Sequence, residues 1–133
     1  MSKSGNLIET FCLSVQSEMH PKRDSFETES DPIAHNHVLH LHSLTVACEP
    51  LADNCAQVDV LWREYVQGEV VDHPVDVPVW THEFIHQSYD DLFTCLDGTS
   101  MTGDGKSKLV IRRHVEGSVG PQTVAVVVRG YCH

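Results

Sequence analysis

The chain has 133 residues, of which 41% are hydrophobic and 21% are charged. This length is typical of one domain, and we expect a single domain over residues 1–133 that holds its core without disulfides. Nineteen acidic side chains against nine basic ones give a formal net charge of -10. Because nucleic acids and anionic membranes attract positive surfaces, this balance excludes both as partners held by bulk charge.

Residues 1–6 are polar and are interpreted as an N-terminal tail. Glu9 interrupts the apolar stretch that follows, so the segment lacks the apolar region of a signal peptide, and no later run approaches the roughly 18 apolar residues of a membrane span. The five cysteines are odd in number and form no C-x-x-C pair, which argues against a disulfide framework or a thiolate zinc site. We expect reduced, mostly buried thiols in a non-secreted, intracellular protein.

Alternating apolar residues predict a first strand at residues 7–16, with Phe11, Leu13 and Val15 on one face. Residues 18–34 are polar and acidic and contain two prolines, so they are predicted to form a long surface loop. Loops of this length are uncommon in compact domains unless they bind something.

Four further strands are predicted by alternation or by β-branched content, at residues 37–48, 57–65, 108–115 and 122–131. The valine-rich run at residues 124–128 is typical of a central strand covered on both faces. Extended pieces at residues 69–72 and 75–79 contain or border Pro74 and Pro78, which favours an edge strand or a bulge. The glycine-containing residues 97–108 are predicted to form a second long surface loop.

Residues 81–98 are the one segment where a helix competes with a strand. Apolar residues recur there at spacings of four, three and four: Ile85, Tyr89, Leu92 and Leu96. With Ser88 as a possible cap, the pattern predicts one short helix near residues 88–97. Several short strands and one helix indicate a mainly β fold, which we interpret as an antiparallel β-sandwich or jelly-roll-like barrel.

Residues 82–86 read His-Glu-Phe-Ile-His and match the pattern H-E-x-x-H. On a helix, His82 and His86 project from one face and can bind one zinc ion, while Glu83 acts as general base on the metal-bound water. These five residues resemble the zincin metallopeptidase motif. On a strand, the two imidazoles are instead about 13 Å apart along the chain, which is too far for one zinc ion.

The resemblance to zincins also implies a third zinc ligand further along the chain. His114 and Glu116 are the candidates, neither at a diagnostic spacing. Both conformations of residues 81–88 stay open at this point, and with them the possibility of a zinc cofactor.

Four histidines fall within eight positions: His35, His37, His40 and His42. Residues two apart on a strand share a face about 6.6 Å apart, so either pair is a candidate for binding nickel, copper, zinc or iron. The His-x-His start resembles the first motif of cupins, but no glycine leads into it and the second cupin motif is absent. The alternative is a solvent-facing or interface-facing strand whose charge depends on pH.

No convergent set of acids, bases and nucleophiles stands out, and the long polar loops suit protein contacts. In size and class the chain resembles auxiliary virion proteins, such as capsid decoration and tail-associated proteins of tailed bacteriophages. We therefore expect a non-enzymatic module without a cofactor, which forms a homo-oligomer and packs with protein partners into a larger assembly. The alternative is a small zinc-dependent hydrolase that uses His82, Glu83 and His86.

Overall fold

The computed structural model describes residues 8–19, 26–48, 55–85, 90–116 and 122–133. Within these residues every regular element is a β-strand, so the mainly β prediction is confirmed. The strands are β1 (Glu9–Met19), β2 (Phe26–Glu29), β3 (Val38–Cys48), β4 (Cys55–Val66), β5 (His73–Ile85), β6 (Asp90–Cys95), β7 (Ser100–Thr102), β8 (Lys108–Glu116) and β9 (Gln122–Cys132). The described residues contain no helix long and apolar enough to cross a membrane.

The strands form two antiparallel sheets. The order in the first sheet is β1-β9-β3-β6, and the short β7 pairs with the beginning of β3. The order in the second sheet is β2-β8-β4-β5. Apart from β4 to β5 and β6 to β7, the chain changes sheet at every connection, so strands that are distant in sequence lie side by side.

One hydrophobic core takes side chains from both sheets. Leu44, Val46 and Val126 of the first sheet are fully buried, as are Val58 and Ile111 of the second. Burial of one such aliphatic side chain contributes about 1.5–3 kcal/mol. The two sheets are therefore held together chiefly by this shared apolar layer.

A bulge in β3 explains why its apolar residues occupy both parities of the sequence. Four leucine and valine side chains of β3 are buried: Leu39, Leu41, Leu44 and Val46. The register against β9 shifts between Leu41 and Ser43, which leaves His42 as the extra residue. The extra residue shifts the side-chain alternation by one position. The odd-numbered residues before the bulge and the even-numbered residues after it therefore face the same core.

The prediction of one short helix near residues 88–97 is wrong. Residues 90–95 form β6, which pairs with β3 as an edge strand, while residues 88 and 89 lie outside the described residues. Leu92 and Leu96 face the covered side and Phe93 faces solvent, as strand alternation requires. A spacing of four satisfies the strand period as well as the helix period, and pairing with β3 decides between them.

Two segments predicted as surface loops each contain a short strand. β2 lies within residues 18–34 and pairs with β8, and β7 lies within residues 97–108. Residues 20–25 and the predicted tail at 1–6 lie outside the described part of the chain. These short strands are defined by partners far away in sequence, which local composition does not reveal.

The predicted extended piece at residues 75–79 belongs to one long strand at the edge of the second sheet, whereas the piece predicted at residues 69–72 is wrong, because these residues form a bend before that strand. β5 carries Pro74 and Pro78, and its register against β4 skips Val79, so this edge is both interrupted and bulged. The sequence favoured an edge strand or a bulge as alternatives, because proline is tolerated only where a ladder hydrogen bond is not required, and β5 has both features.

Candidate functional site

The outer face of the second sheet carries a charged network that crosses all four strands. Arg63 on β4 donates paired hydrogen bonds to Glu27 on β2, at 2.9 and 3.0 Å, and to Asp76 on β5, at 2.7 and 3.0 Å. Arg112 on β8 joins the same two carboxylates, at 3.0 Å to Glu27 and 2.9 Å to Asp76. Two arginines and two carboxylates thus bind the four strands to one another on the side away from the core.

The network also sets the charge state of its members. The hydrogen bonds from Arg63 lower the pKa of Glu27 and the pKa of Asp76 below their usual ranges. Beside the network, Leu61 and Val110 face outward, yet they are only 5% and 0% exposed. Long charged side chains can cover apolar surface with their aliphatic stems. This outer face is already satisfied by its own residues.

The outer face of the first sheet is different in kind. We call its uncharged centre the neutral face, which consists of Ser14, Gln16, Ala125, Val127, Thr45, Ala47 and Phe93. Two charged positions adjoin it, since Asp91 is in register with Ala47 and Arg129 lies two residues beyond Val127 on β9. One row of it, Ser14, Val127, Thr45 and Phe93, crosses the four strands in direct register. No member of the neutral face carries a charge. Phe93 is 69% exposed, which is unusual for a side chain of this size.

An aromatic cluster lies at one end of the neutral face. The His40 ring stacks on Tyr131 at 4.7 Å and on His133 at 4.9 Å between ring centroids. Tyr131 is 40% exposed. Arg129, two residues before Tyr131 on β9, forms no ion pair with any described residue. This end therefore offers stacking surface and one unpaired positive charge.

The residues of the H-E-x-x-H pattern are divided between two faces. Residues 81–85 belong to β5, so the side chains of His82 and Glu83 point to opposite sides of the sheet. His82 lies between Trp80 and Phe84, at 5.8 and 4.6 Å between ring centroids. His86 lies outside the described residues.

Glu83 is brought close to the candidate third ligands. Gln57 is in register with Glu83 on one side and with His114 on the other, and a shallow pocket of about 120 Å³ is lined by all three together with Glu116. The His114 Nε2 atom is 3.1 Å from a Glu116 carboxylate oxygen. Among the described residues, however, no group of three or more His, Cys, Asp or Glu side chains is arranged to hold a metal ion. The zinc site stays a prediction.

The four clustered histidines occupy three different settings. His35 and His37 flank Asn36, whose φ of 65° marks a tight turn before β3. His40 belongs to the aromatic cluster, whereas His42 sits at the bulge with its Nδ1 atom 2.9 Å from Asp97. This contact lowers the pKa of the Asp97 carboxyl. The turn and the bulge disrupt the regular strand on which the predicted His pairs depended.

The prediction of mostly buried cysteines is wrong for the described residues. Cys12 and Cys95 are exposed, and Cys55 and Cys132 are half-buried, all four as free thiols. Burial raises the pKa of Cys132, and the neighbouring Glu9 adds to the shift. The Cys132 thiol is therefore kept in its less reactive, protonated form.

Sequence reasoning missed the neutral face, although one signal for it is present. The valine-rich run of β9 is predicted to be covered on both sides, and Val124 and Val126 are indeed buried in the core. Ala125 and Val127 face outward and are only half-buried.

No protein-family model matches this chain, and no curated protein matches it either.

Proposed function

We propose that this chain is a non-enzymatic jelly-roll module that self-associates through the neutral face and packs into a larger protein assembly. The observation that carries the proposal is the neutral face, an uncharged and partly apolar patch at the centre of the outer face of the first sheet, in a protein whose formal net charge is -10. Capsid decoration and tail-associated virion proteins are the class of assembly that we infer, by analogy of size and fold class.

The strand order supports the jelly-roll assignment. Each sheet has a path of four strands, with the orders β1-β9-β3-β6 and β2-β8-β4-β5, and the chain crosses repeatedly between the sheets. This order fits a barrel that is built from two Greek keys. Jelly rolls of this type are used in viral capsids, where sheet faces and edges make protein contacts.

Charge supports the choice of face. Two copies of an acidic chain repel each other wherever carboxylates approach, and desolvating a charge without a partner is costly. The neutral face avoids both costs, whereas the second sheet presents Glu27, Asp76 and their arginine partners. Interface centres are depleted in charge and enriched in aromatic residues, as Phe93 and Tyr131 would provide.

The neutral face is small. Four strands about 4.8 Å apart, with about three residues each at 3.3 Å per residue, make a surface of roughly 190 Å². This is far below the area of a stable specific interface, so contact through this face is of the weak, transient kind. We therefore expect an association that depends on concentration.

Sedimentation velocity from micromolar to near-millimolar protein tests the proposal. We expect the wild type to associate, and Val127→Asp and Phe93→Asp to weaken association at least tenfold, because each places a carboxylate in the contact. Val75→Asp is the matched control, since it adds the same charge to a 44% exposed valine of the second sheet. A wild type that stays monomeric, or neutral-face variants that associate like the control, would refute the proposal.

A further inference from the structure

A cavity of about 520 Å³ opens between β1 and the segment that follows β2. Its walls include residues 9–13 of β1 and residues 29–34, each an unbroken run. Successive side chains of a strand point to opposite faces. A cavity that touches five consecutive strand residues therefore reaches the backbone edge of β1, and Cys132 of the neighbouring β9 in its lining shows that it also extends across the inner face.

Among the described residues, β1 offers the longest uninterrupted strand edge, since β6 at the other edge of the first sheet has only six residues. β1 is 11 residues long, pairs only with β9, and contains neither proline nor lysine. By contrast, the β5 edge is interrupted by Pro74, Pro78 and a bulge, and β2 has only four residues. Backbone hydrogen bonds outside the ladders involve no described residue of β1. Free edges of this kind are templates for another strand.

The opposite wall of the cavity is held in place by a second segment. Ile33 donates its backbone N–H to Ser107 at 2.9 Å, and Gly105 donates back to Ile33 at 2.9 Å. Gly103 donates to His37 at 2.7 Å. The wall is thus fixed before any ligand arrives, and this lowers the entropic cost of binding.

The lining of the cavity specifies what fits there. Leu13 and Ile33 are buried apolar side chains, whereas Glu9 and Asp31 are exposed carboxylates without an ion pair among the described residues. The third carboxylate, Glu29, is already paired with Arg63 and Lys108. No lysine or arginine is among the described residues that line the cavity. An occupant that carries both positive and apolar side chains complements this surface.

We propose that the cavity binds an extended segment of a partner protein, in which lysine or arginine alternates with apolar residues, as an added strand on the edge of β1. Main-chain hydrogen bonds to β1 supply affinity, and alternate side chains enter the apolar floor or meet Glu9 and Asp31. The inference rests on the proposed function in that it names a partner for the assembly. It uses the β1 edge and leaves the neutral face free.

The test uses the full chain and the peptide acetyl-Lys-Val-Lys-Val-Lys-Val-amide, titrated by calorimetry at low salt. One companion peptide replaces every lysine by glutamate. A second keeps the lysines and is methylated on its amide nitrogens, so it cannot donate ladder hydrogen bonds. A site that recognised only positive charge would bind the methylated peptide as tightly as the parent peptide.

We expect the lysine peptide to bind and both companions to bind at least tenfold more weakly. Glu9→Gln and Asp31→Asn should each weaken the lysine peptide roughly two- to fivefold, the range expected for partly exposed ion pairs. Glu64→Gln is the matched control, because it removes an exposed carboxylate of β4 that does not line the cavity. Hydrogen exchange of the β1 amides should slow only with the unmethylated lysine peptide.

Absence of binding, equal binding of the glutamate or methylated peptide, or no effect of Glu9→Gln with Asp31→Asn would each overturn the proposal. Val127→Asp separates it from the proposed function: this variant should lose self-association and keep peptide binding. Self-association that persists in Val127→Asp while the peptide fails to bind would point instead to a second copy of this chain on the β1 edge.

Discussion

Arg113 on β8 donates a hydrogen bond from Nη1 to the backbone carbonyl of Val124 on β9, at 2.7 Å, and so ties the second sheet to the first through the core. Its Nη2 atom donates to the Ser17 hydroxyl on β1 at 2.9 Å. The side chain is only 3% exposed, and this burial lowers the pKa of its guanidinium. A charged group therefore spans the two sheets at the end where β1 finishes and β9 begins.

Arg113→Met should lower the free energy of unfolding by about 1–3 kcal/mol. The variant leaves the Val124 carbonyl and the Ser17 hydroxyl without their donor, a loss that relief from burying a charge only partly offsets. Urea denaturation measures the change. Arg129→Met is the matched control, because Arg129 is exposed, and should change stability by less than about 0.5 kcal/mol. A more stable Arg113→Met would mean that the desolvation cost exceeds the worth of these hydrogen bonds.

The network around Arg63 should make the protein sensitive to acid. The folded-state pKa values of Glu27 and Asp76 lie below their ordinary values of 4.5 and 3.8, so the unfolded chain takes up protons at higher pH than the folded one. Their contribution is fully present above about pH 5 and is lost as the pH falls through the lowered values. Urea denaturation at a series of pH values should show this decline.

Arg63→Met should flatten that decline and lower stability at neutral pH by roughly 1–2 kcal/mol, since Arg63 takes part in three partly exposed ion pairs. Lys106→Met removes only the exposed pair with Asp72 and should leave the pH profile unchanged. An unaltered profile in Arg63→Met would show that the network does not stabilise the fold.

Gly103 lies against the wall of the β1 cavity with no room for a side chain. A Cβ atom there would be 2.3 Å from the Ala34 carbonyl oxygen and 2.6 Å from the Ile33 side chain. Gly103→Ala should therefore cost about 1–3 kcal/mol and also weaken the lysine peptide, because the wall must move. A Cβ atom at Gly98 would meet no atom within 4 Å, and only the φ of +93° disfavours alanine there. Gly98→Ala should therefore cost about 1 kcal/mol and leave peptide binding intact. Equal peptide affinity in both variants would contradict the fixed-wall argument.

Zinc should make no difference to the stability of the described fold. His82 and Glu83 lie on opposite faces of β5, so a metal held by one is not within reach of the other. We expect elemental analysis of protein prepared without a histidine tag to find no stoichiometric zinc, and a chelator to leave Tm unchanged. About one zinc ion per chain, lost in His82→Ala, would instead support the hydrolase alternative.

Period-two alternation in the sequence by itself determined much of the architecture. Phe11, Leu13 and Val15 line up toward the core in β1 as predicted, and the valine-rich run occupies a central strand between β1 and β3. Pro74 and Pro78 marked β5 as an edge. These features are predictable because side-chain alternation and the missing proline N–H act within a few residues, so the local sequence contains all the information that they require.

Tertiary pairing decided the rest. Leu92 and Leu96 suit a helix or a strand, and only the ladder with β3 makes β6 a strand. The ion pair of Arg63 with Glu27 joins residues 36 positions apart, and Ile33 contacts Ser107 across a still longer separation. The neutral face and the β1 cavity arise in the same way, because antiparallel sheets bring together residues whose proximity depends on register and bulges. Those are properties of the partner strand, and no stretch of local sequence records them.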